Sequence, residues 1–394
     1  MHFSKGRFSS TLIVLATMLV LFSMPILAGM AIANVASDDV SQSANLSAET
    51  IQGLRGHLND YIKKDAQLRN WKLLETTITV SSQESSGAEV TAIFDIERKF
   101  RLNFAKAEEA PAVKGRLAFM KEKSGRLSAK QLRAANKEVE IWQHDIADYI
   151  ANNQDCFERI KVVGILDSNG KLTPGTIKFY SEGPLGGDYV AISHDKIPTP
   201  QAVEKAAYDT ISATVKEAEK DKKVSSTATY YRLMARDYAN TYTSNTSLAC
   251  QSGNSTKQDK NYYNLAAYAT WYQCNDCANY VSQACNYAGI PRTGGSWTPY
   301  LSCWINCDYL TTYMVLNDNW LFATNNNINE CVAGYPFELY TPLSGGSRDY
   351  YHVMMMVSND GTTRFYSAHT SDRKQKVWNG ATYVQYFKIP SNVY

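Results

Sequence analysis

Apolar positions along this chain recur with two periods, and the changes of period mark its elements. From Ser47 to Lys64, Ile51, Leu54, Leu58 and Ile62 fall on one helical stripe. Alternation then takes over at Thr76–Val80 and Val90–Ile96, which predicts strands. Charged helices follow over Lys114–Lys123 and Ala129–Ala151, then strands at Ile160–Leu166 and Thr176–Tyr180, separated by an Asp167-Ser168-Asn169-Gly170 turn. Pro200 opens an Ala-rich amphipathic run, a connecting helix within Pro198–Asp221 that leads into the polar linker Asp221–Thr227.

The second half opens on Tyr231, Ala235, Tyr238 and Tyr242, whose spacing puts all four on one helix face, read as core. A further helix is capped by Asn275 or Asp276, carries Tyr280, Val281, Ala284, Tyr287 and Ala288 on its apolar side, and stops at Gly289 before Pro291. Gly294-Gly295-Ser296-Trp297 is a loop in which Trp297 either walls a substrate cleft or packs over the helix end. Trp304–Trp320 reads as helix and Asn325–Asn329 as a polar loop. Strands are expected at His352–Val357, Thr363–Ala368 and Thr382–Ile389; Val353–Val357 is apolar on both faces, as in a buried strand. This mixture of helices and antiparallel strands is an α+β fold.

Composition divides the chain near residue 225. Of its 26 tyrosines, 21 lie from Thr227 onward, where charge is sparse, which predicts an α+β accessory or pro-domain over 34–225 and a second domain over 226–394. Residues 1–33 read as a secretory signal: Lys5 and Arg7, an apolar run from Leu12 to Leu27, then Ala31-Ile32-Ala33. The product is expected to be secreted or loosely held at a cell surface, without stable membrane insertion after cleavage. Removing Lys5 and Arg7 from the 40 basic residues leaves 38 against 38 acidic ones, so nothing in the charge supports a nucleic-acid partner. Oligomeric state is not legible.

The chemistry centres on Cys277. It sits in the first turn of its helix, where unpaired N–H groups and the helix dipole favour thiolate over thiol. Asp276 opposes this unless its charge is paired or turned away. A thiolate needs a base, and of six histidines only His352 and His369 fall in the second half. If Asp360 and Gly361 form a two-residue hairpin turn, facing residues have numbers summing to 721, which sets His352 opposite His369. One imidazole then takes the thiol proton and the other orients it. His57, His144 and His194 have no partner at triad or metal spacing and read as surface or packing residues. Asn279 and Gln283, four apart on the Cys277 helix, read as local hydrogen-bonding residues.

These residues resemble a known family. Tyr231-Arg232 with Ala235, Tyr238 and Ala239, then Asp276-Cys277-x-Asn279-Tyr280-Val281-Ser282-Gln283, the His352-Val353 strand start and Ser367-Ala368-His369-Thr370-x-Asp372-Arg373 look like the amidase domain of secreted bacterial proteins. That domain is in turn similar to papain-like NlpC-type and CHAP cell-wall peptidases. The resemblance covers roughly residues 228 to 394. It implies a papain-like fold, a Cys-bearing helix packed on an antiparallel sheet, with Cys277 as nucleophile, His352 as base and His369 as the third, orienting residue. The implied activity is hydrolysis of an amide in cell-wall peptide or peptidoglycan through a thioester, with no cofactor and no metal. Asp276, Asp372 and Arg373 join Trp297 as candidate substrate-cleft residues, the last two alternatively forming a surface ion pair.

Eight cysteines in an exported chain invite disulfides, but reserving Cys277 leaves seven, an odd number. Cys274-x-x-Cys277 with Cys303-x-x-x-Cys307 could alternatively hold a structural zinc, making the domain a non-catalytic surface-binding module stabilised by metal or disulfides. An acyltransferase or transglutaminase-like enzyme could use the same triad. Oxidation of Cys274 onto Cys277 would lock the nucleophile.

Overall fold

The computed structural model describes residues 45–218, 229–245, 262–268, 275–317, 320, 322–324, 327–389 and 392–393. The apolar leader, the linker with the domain boundary near 225, Cys250 and Cys274 lie outside the described residues. Ser43–Tyr394 is one compact unit.

Helix α1 (Ala48–Leu68) starts where the Ser47 hydroxyl accepts the Thr50 N–H, and it buries Leu54, Leu58 and Ile62. Each such side chain contributes roughly 1.5–3 kcal/mol of burial. Strands β1 (Trp71–Ser86) and β2 (Glu89–Leu102) form a hairpin far longer than the alternation predicts. Helices α2 (Pro111–Lys123) and α3 (Ala129–Ala151) come next, α3 opening with a Ser128–Gln131 capping box. Strands β3 (Gln154–Ile165), β4 (Lys178–Glu182) and β5 (Tyr189–Ile192) complete an antiparallel sheet in sequential order, β1 to β5. The four-residue edge strand β5 has too short a pattern to read from sequence. Leu54, Leu58 and Ile62 pack on Val90, Phe94, Ile96 and Val162 of this sheet. Helix α4 (Pro200–Ala218) packs on α2, where Gly115 lets the backbones approach: a Cβ there would lie 2.0 Å from the Glu204 carbonyl oxygen.

The second half begins with β6 (Tyr230–Tyr231), α5 (Arg232–Thr241) and α6 (Cys277–Tyr287). On α5, Ala235 and Tyr238 are buried as the stripe predicts, whereas Tyr231, just before the helix, is exposed. The expected Trp304–Trp320 helix is broken into α7 (Ser302–Ile305), α8 (Cys307–Thr312) and a π-helical turn at Tyr313–Asn317. The break has a local cause: the Asn306 side chain accepts the Tyr309 N–H and so caps a new helix. Strands β7 (Phe322–Ala323), β8 (Pro336–Pro342), β9 (Arg348–Asn359), β10 (Arg364–Ala368), β11 (Arg373–Val377) and β12 (Val384–Lys388) form an antiparallel sheet ordered β11-β10-β9-β8-β12-β7. A short β13 (Asn392–Val393) pairs in parallel with β6. The α+β class holds, and α6 packs on the central strand β9.

One hydrophobic core runs through both halves, joining Trp71, Phe100 and Trp142 to Tyr280, Met355 and Phe365. Buried ion pairs cross the same boundary. Asp145 of α3 accepts two hydrogen bonds from Arg232 of α5, at 2.8 and 2.5 Å, and Glu182 of β4 accepts from Arg373 and Lys376 of β11, at 2.9 and 3.1 Å. The first 200 residues thus hold α5, which packs on the Cys277 helix, and β11, which pairs with β10 just before His369.

Arg232 is 0 % exposed, so removing its carboxylate leaves a guanidinium charge in a dry site. Asp145→Ala is expected to cost about 3–5 kcal/mol of stability. Most of that should return in Asp145→Leu/Arg232→Met, which removes both charges. Urea unfolding midpoints of the three proteins check this.

Candidate active site

Cys277 opens α6 with its backbone at the positive end of the helix, and its side chain is 7 % exposed. Its Sγ lies 3.5 Å from Sγ of Cys307, the first residue of α8. This contact is the chief reason the Cys277 thiol is held well below its ordinary pKa, since the Cys307 S–H donates to the thiolate. Burial opposes the shift, while the His352 imidazole and the Val353 N–H reinforce it. Cys307 is correspondingly raised, because it keeps the proton that both sulfurs share.

His352 stands on β9, paired with Leu339 of β8, and is completely buried. Neither Nδ1 nor Nε2 has a hydrogen-bond partner of good geometry. An unsatisfied buried polar group costs about 1–3 kcal/mol, so an imidazole left in this state beside a thiolate points to a chemical use.

The expected pairing of His352 with His369 does not form. The register is Asn359 with Arg364 and Ser358 with Phe365, then shifts to Met356 with Tyr366 at a bulge. The cause is turn chemistry: Asn359 Oδ1 accepts the Gly361 N–H and Asp360 Oδ1 accepts the Thr362 and Thr363 N–H groups. These side-chain turns lengthen the connection from two residues to four. Strand β10 then ends at Ala368, one residue before His369.

His369 serves the Cys277 helix instead. Its Nδ1–H donates to Asp276 Oδ2 at 2.7 Å and its Nε2–H to the carbonyl oxygen of Tyr242, just past α5. A carboxylate and a carbonyl can only accept, so both ring nitrogens carry protons and the ring is an imidazolium. Tyr280 stacks on it at 4.0 Å and Tyr263 lies at 4.3 Å. Burial works to lower the pKa of His369, but Asp276, the charge of Asp372 and the Tyr242 carbonyl outweigh it and raise it. The Asp276 conflict is thereby removed, because its carboxylate is paired with His369 and accepts from Asn279 Nδ2 at 2.7 Å. Asp276 is the N-cap by position, yet its side chain caps no N–H.

The remaining candidates move inward. Trp297 is 0 % exposed, packs at a tilt against Trp304 with ring centroids 4.6 Å apart and donates from its indole to Ser282 Oγ at 3.3 Å, so it is core and walls no open cleft. Asp372 and Arg373 are buried too. Arg373 donates to Glu182 and to the Asp372 backbone carbonyl, and Asp372 accepts from the Tyr263 hydroxyl at 3.4 Å, so the pair is neither a surface bridge nor a substrate contact. Asp276, with its carboxylate spent on His369 and Asn279, is likewise no cleft residue. Asn279 also accepts from the Trp304 indole at 2.7 Å, and Gln283 accepts from the Tyr238 hydroxyl at 2.7 Å. His194 stacks on Tyr61 at 4.3 Å.

Two participants escape a reading by motif. Cys307 carries only a generic disulfide or zinc spacing. Glu338 of β8 is buried, accepts from the Thr311 hydroxyl and feels the charge of Cys277; burial above all drives its pKa well above the carboxylate range. Its signal was a lone carboxylate inside the apolar run Pro336-Phe337-Glu338-Leu339. Cys156, Cys277, Cys285, Cys303, Cys307 and Cys331 are all free thiols. Among the described residues no three His, Cys, Asp or Glu side chains gather as a metal-binding group.

Residues 229–392 match the family model described as "Putative amidase domain", a likeness that suggests an amide-bond hydrolase. No curated protein matches the chain. No solved structure matches it either.

The two raised groups predict opposite responses to substitution. The His369 imidazolium stabilises the fold fully below its unfolded pKa of about 6.5, and that contribution is lost as pH rises through its higher folded pKa. His369→Gln should therefore be most destabilised, relative to the parent, at the acid end of a urea titration series run on either side of neutrality. Glu338 keeps a proton that the unfolded chain gives up above about pH 4.3, so it destabilises the fold increasingly as pH rises. Glu338→Gln should gain on the parent by at least about 1 kcal/mol between mildly acidic and mildly alkaline buffer. A gain that did not depend on pH would mean that Glu338 is ionised in the fold.

Proposed function

We propose that the chain is an exported cysteine hydrolase that cuts an amide in a cell-wall peptide, or at its junction with glycan, through a thioester on Cys277. The match over residues 229–392 supports the amide-bond class. The observation that carries the cysteine mechanism is a buried thiol whose pKa is depressed in part by the buried His352 imidazole, a ring that makes no hydrogen bond of good geometry to any other group. The leader with Lys5, Arg7 and the Leu12–Leu27 run supports export, and the papain-like likeness of the Cys277 and His369 motifs supports the substrate class.

In this reading His352 takes the Cys277 proton and the thiolate attacks the amide carbonyl. The first-turn N–H groups of α6 face the oxyanion that develops, at the positive end of the helix. His352 returns its proton to the leaving amine, which departs and leaves the acyl group on sulfur. Water, deprotonated by the same imidazole, then hydrolyses the thioester. Glu338, held neutral, puts no charge beside the thiolate. His369 acts one step back: it clamps Asp276 and Tyr280, and so sets the position of the helix that presents the sulfur.

Cys277→Ser should lower turnover of a peptidoglycan-derived peptide by at least about 10³-fold. His352→Gln should lower it by about 10²–10⁴-fold, the usual range for a general base. In parallel, iodoacetamide should alkylate Cys277 rapidly near neutral pH in the parent and more slowly in His352→Gln. A parent enzyme whose Cys277 reacts no faster than a free thiol would sink the mechanism.

A further inference from the structure

The Cys277–Cys307 contact is more than an electrostatic aid. Both sulfurs are buried, 7 % and 5 % exposed, and stand 3.5 Å apart. Their separation is imposed from both sides. Helix α8 is fixed to the sheet through Asp308, whose Oδ1 accepts the Tyr350 N–H at 2.6 Å, and through the Thr311 hydroxyl on Glu338. Helix α6 is locked to α7, immediately before α8, where Ser282 Oγ donates to the Trp304 carbonyl at 2.9 Å and the Trp304 indole donates to Asn279 at 2.7 Å. A disulfide needs about 2.05 Å between sulfurs, so an approach of about 1.4 Å suffices. One sulfur is already the better nucleophile and the other already holds the proton.

We propose that Cys277 and Cys307 form a reversible dithiol–disulfide site, in which Cys307 is the resolving thiol for an oxidised Cys277. The bond itself stands on this geometry; its effect on turnover rests on the reading of Cys277 as the nucleophile. The oxidant is a peroxide, small enough for a nearly closed site. The Cys277 thiolate attacks one oxygen of hydrogen peroxide, the O–O bond breaks, and the hydroxide released takes up a proton, leaving a sulfenic acid. The Cys307 sulfur then attacks Cys277 Sγ, the S–O bond breaks, and the hydroxide leaves as water with the Cys307 proton. Two thiols and one peroxide give one disulfide and two waters, two electrons passing from sulfur to oxygen. A dithiol reductant reverses the bond by exchange. The other buried thiols face other groups: Cys331 Sγ lies 3.9 and 3.8 Å from the carbonyl oxygens of Tyr335 and Pro336, and Cys285 meets the Tyr230 hydroxyl.

The test uses the reduced full chain, treated with stoichiometric hydrogen peroxide, quenched with iodoacetamide and mapped by peptide mass spectrometry. The expected product is a Cys277–Cys307 cross-linked peptide that disappears on dithiothreitol treatment, with Cys277 alkylation slowed at least about tenfold while oxidised. In Cys307→Ser and Cys307→Ala, checked for folding by circular dichroism, Cys277 should instead proceed to sulfinic acid. Cys277 found bonded to another cysteine, Cys274 included, overturns the proposal. So does full alkylation of both thiols after peroxide in the parent chain. Amide hydrolysis is followed alongside: a bond that forms and reverses in a chain with no hydrolytic activity upholds the site and defeats the hydrolase reading.

Discussion

A thiolate closed off from water persists only where no neighbouring group adds uncompensated negative charge, and the second half of this chain is arranged around that constraint. Two carboxyl groups lie near Cys277. Asp276 is its neighbour in sequence, and its charge is cancelled by an imidazolium held at 2.7 Å. Glu338 reaches it from β8, and burial keeps that carboxyl protonated. The positive contributions come from groups that share or donate protons: the Cys307 S–H, the Val353 N–H and His352. Each answers a specific conflict, and removing any one of them changes the proton inventory of the rest. The raised pKa of Glu338, for instance, is partly a response to the charge on sulfur itself.

That arrangement needs rigid walls, and the first 200 residues supply some of them. The Arg232–Asp145 pair ties α5 to α3, and α5 in turn meets α6 where the Tyr280 hydroxyl donates to the Ala239 carbonyl at 2.6 Å. Tyr242, just beyond α5, provides the carbonyl that takes the second His369 proton. On the far side, Glu182 gathers Arg373 and Lys376 of β11. Buried ion pairs contribute little net stability against apolar replacements, but they tolerate few alternative arrangements. Their placement along α5 and β11 is where a specified geometry matters for the helix carrying Cys277.

What the chain disclosed by pattern alone was local. Helix α3 runs over the residues its periodicity marks, because Ser128 and Gln131 cap one another at its start. Helix α6 likewise begins at Cys277, and β9 is the buried strand its unbroken apolar run implies. The register of the β9–β10 hairpin was not legible, since it depends on whether Asn359 and Asp360 spend their side chains on the turn. That choice moved His369 off the ladder and away from His352. The role it took instead depends on Asp276, 93 residues earlier in the chain, and no local spacing encodes such a meeting. Glu338 was the legible exception that motif reading passes over: a charge in an apolar strand has to be neutral, paired or catalytic.

The cysteine count takes on a different meaning once Cys307 is placed. Eight cysteines with one reserved as nucleophile leave an odd remainder, which is awkward for a chain built on permanent cross-links. The six described ones are free thiols, and Cys156, Cys285 and Cys331, closed off in the interior, have pKa values raised chiefly by burial, which keeps them protonated at neutral pH. Burial therefore protects these thiols without any cross-link, and parity ceases to be a constraint. Cys277 is the exception, since its depressed pKa makes it the described thiol most open to oxidation. A sulfenic acid left alone proceeds to irreversible forms. A second thiol 3.5 Å away converts that loss into a bond that a reductant can open. The neighbour that lowers the pKa is also the one placed to attack an oxidised Cys277, because both tasks require a second sulfur in contact with the first, one using its proton and the other its lone pair.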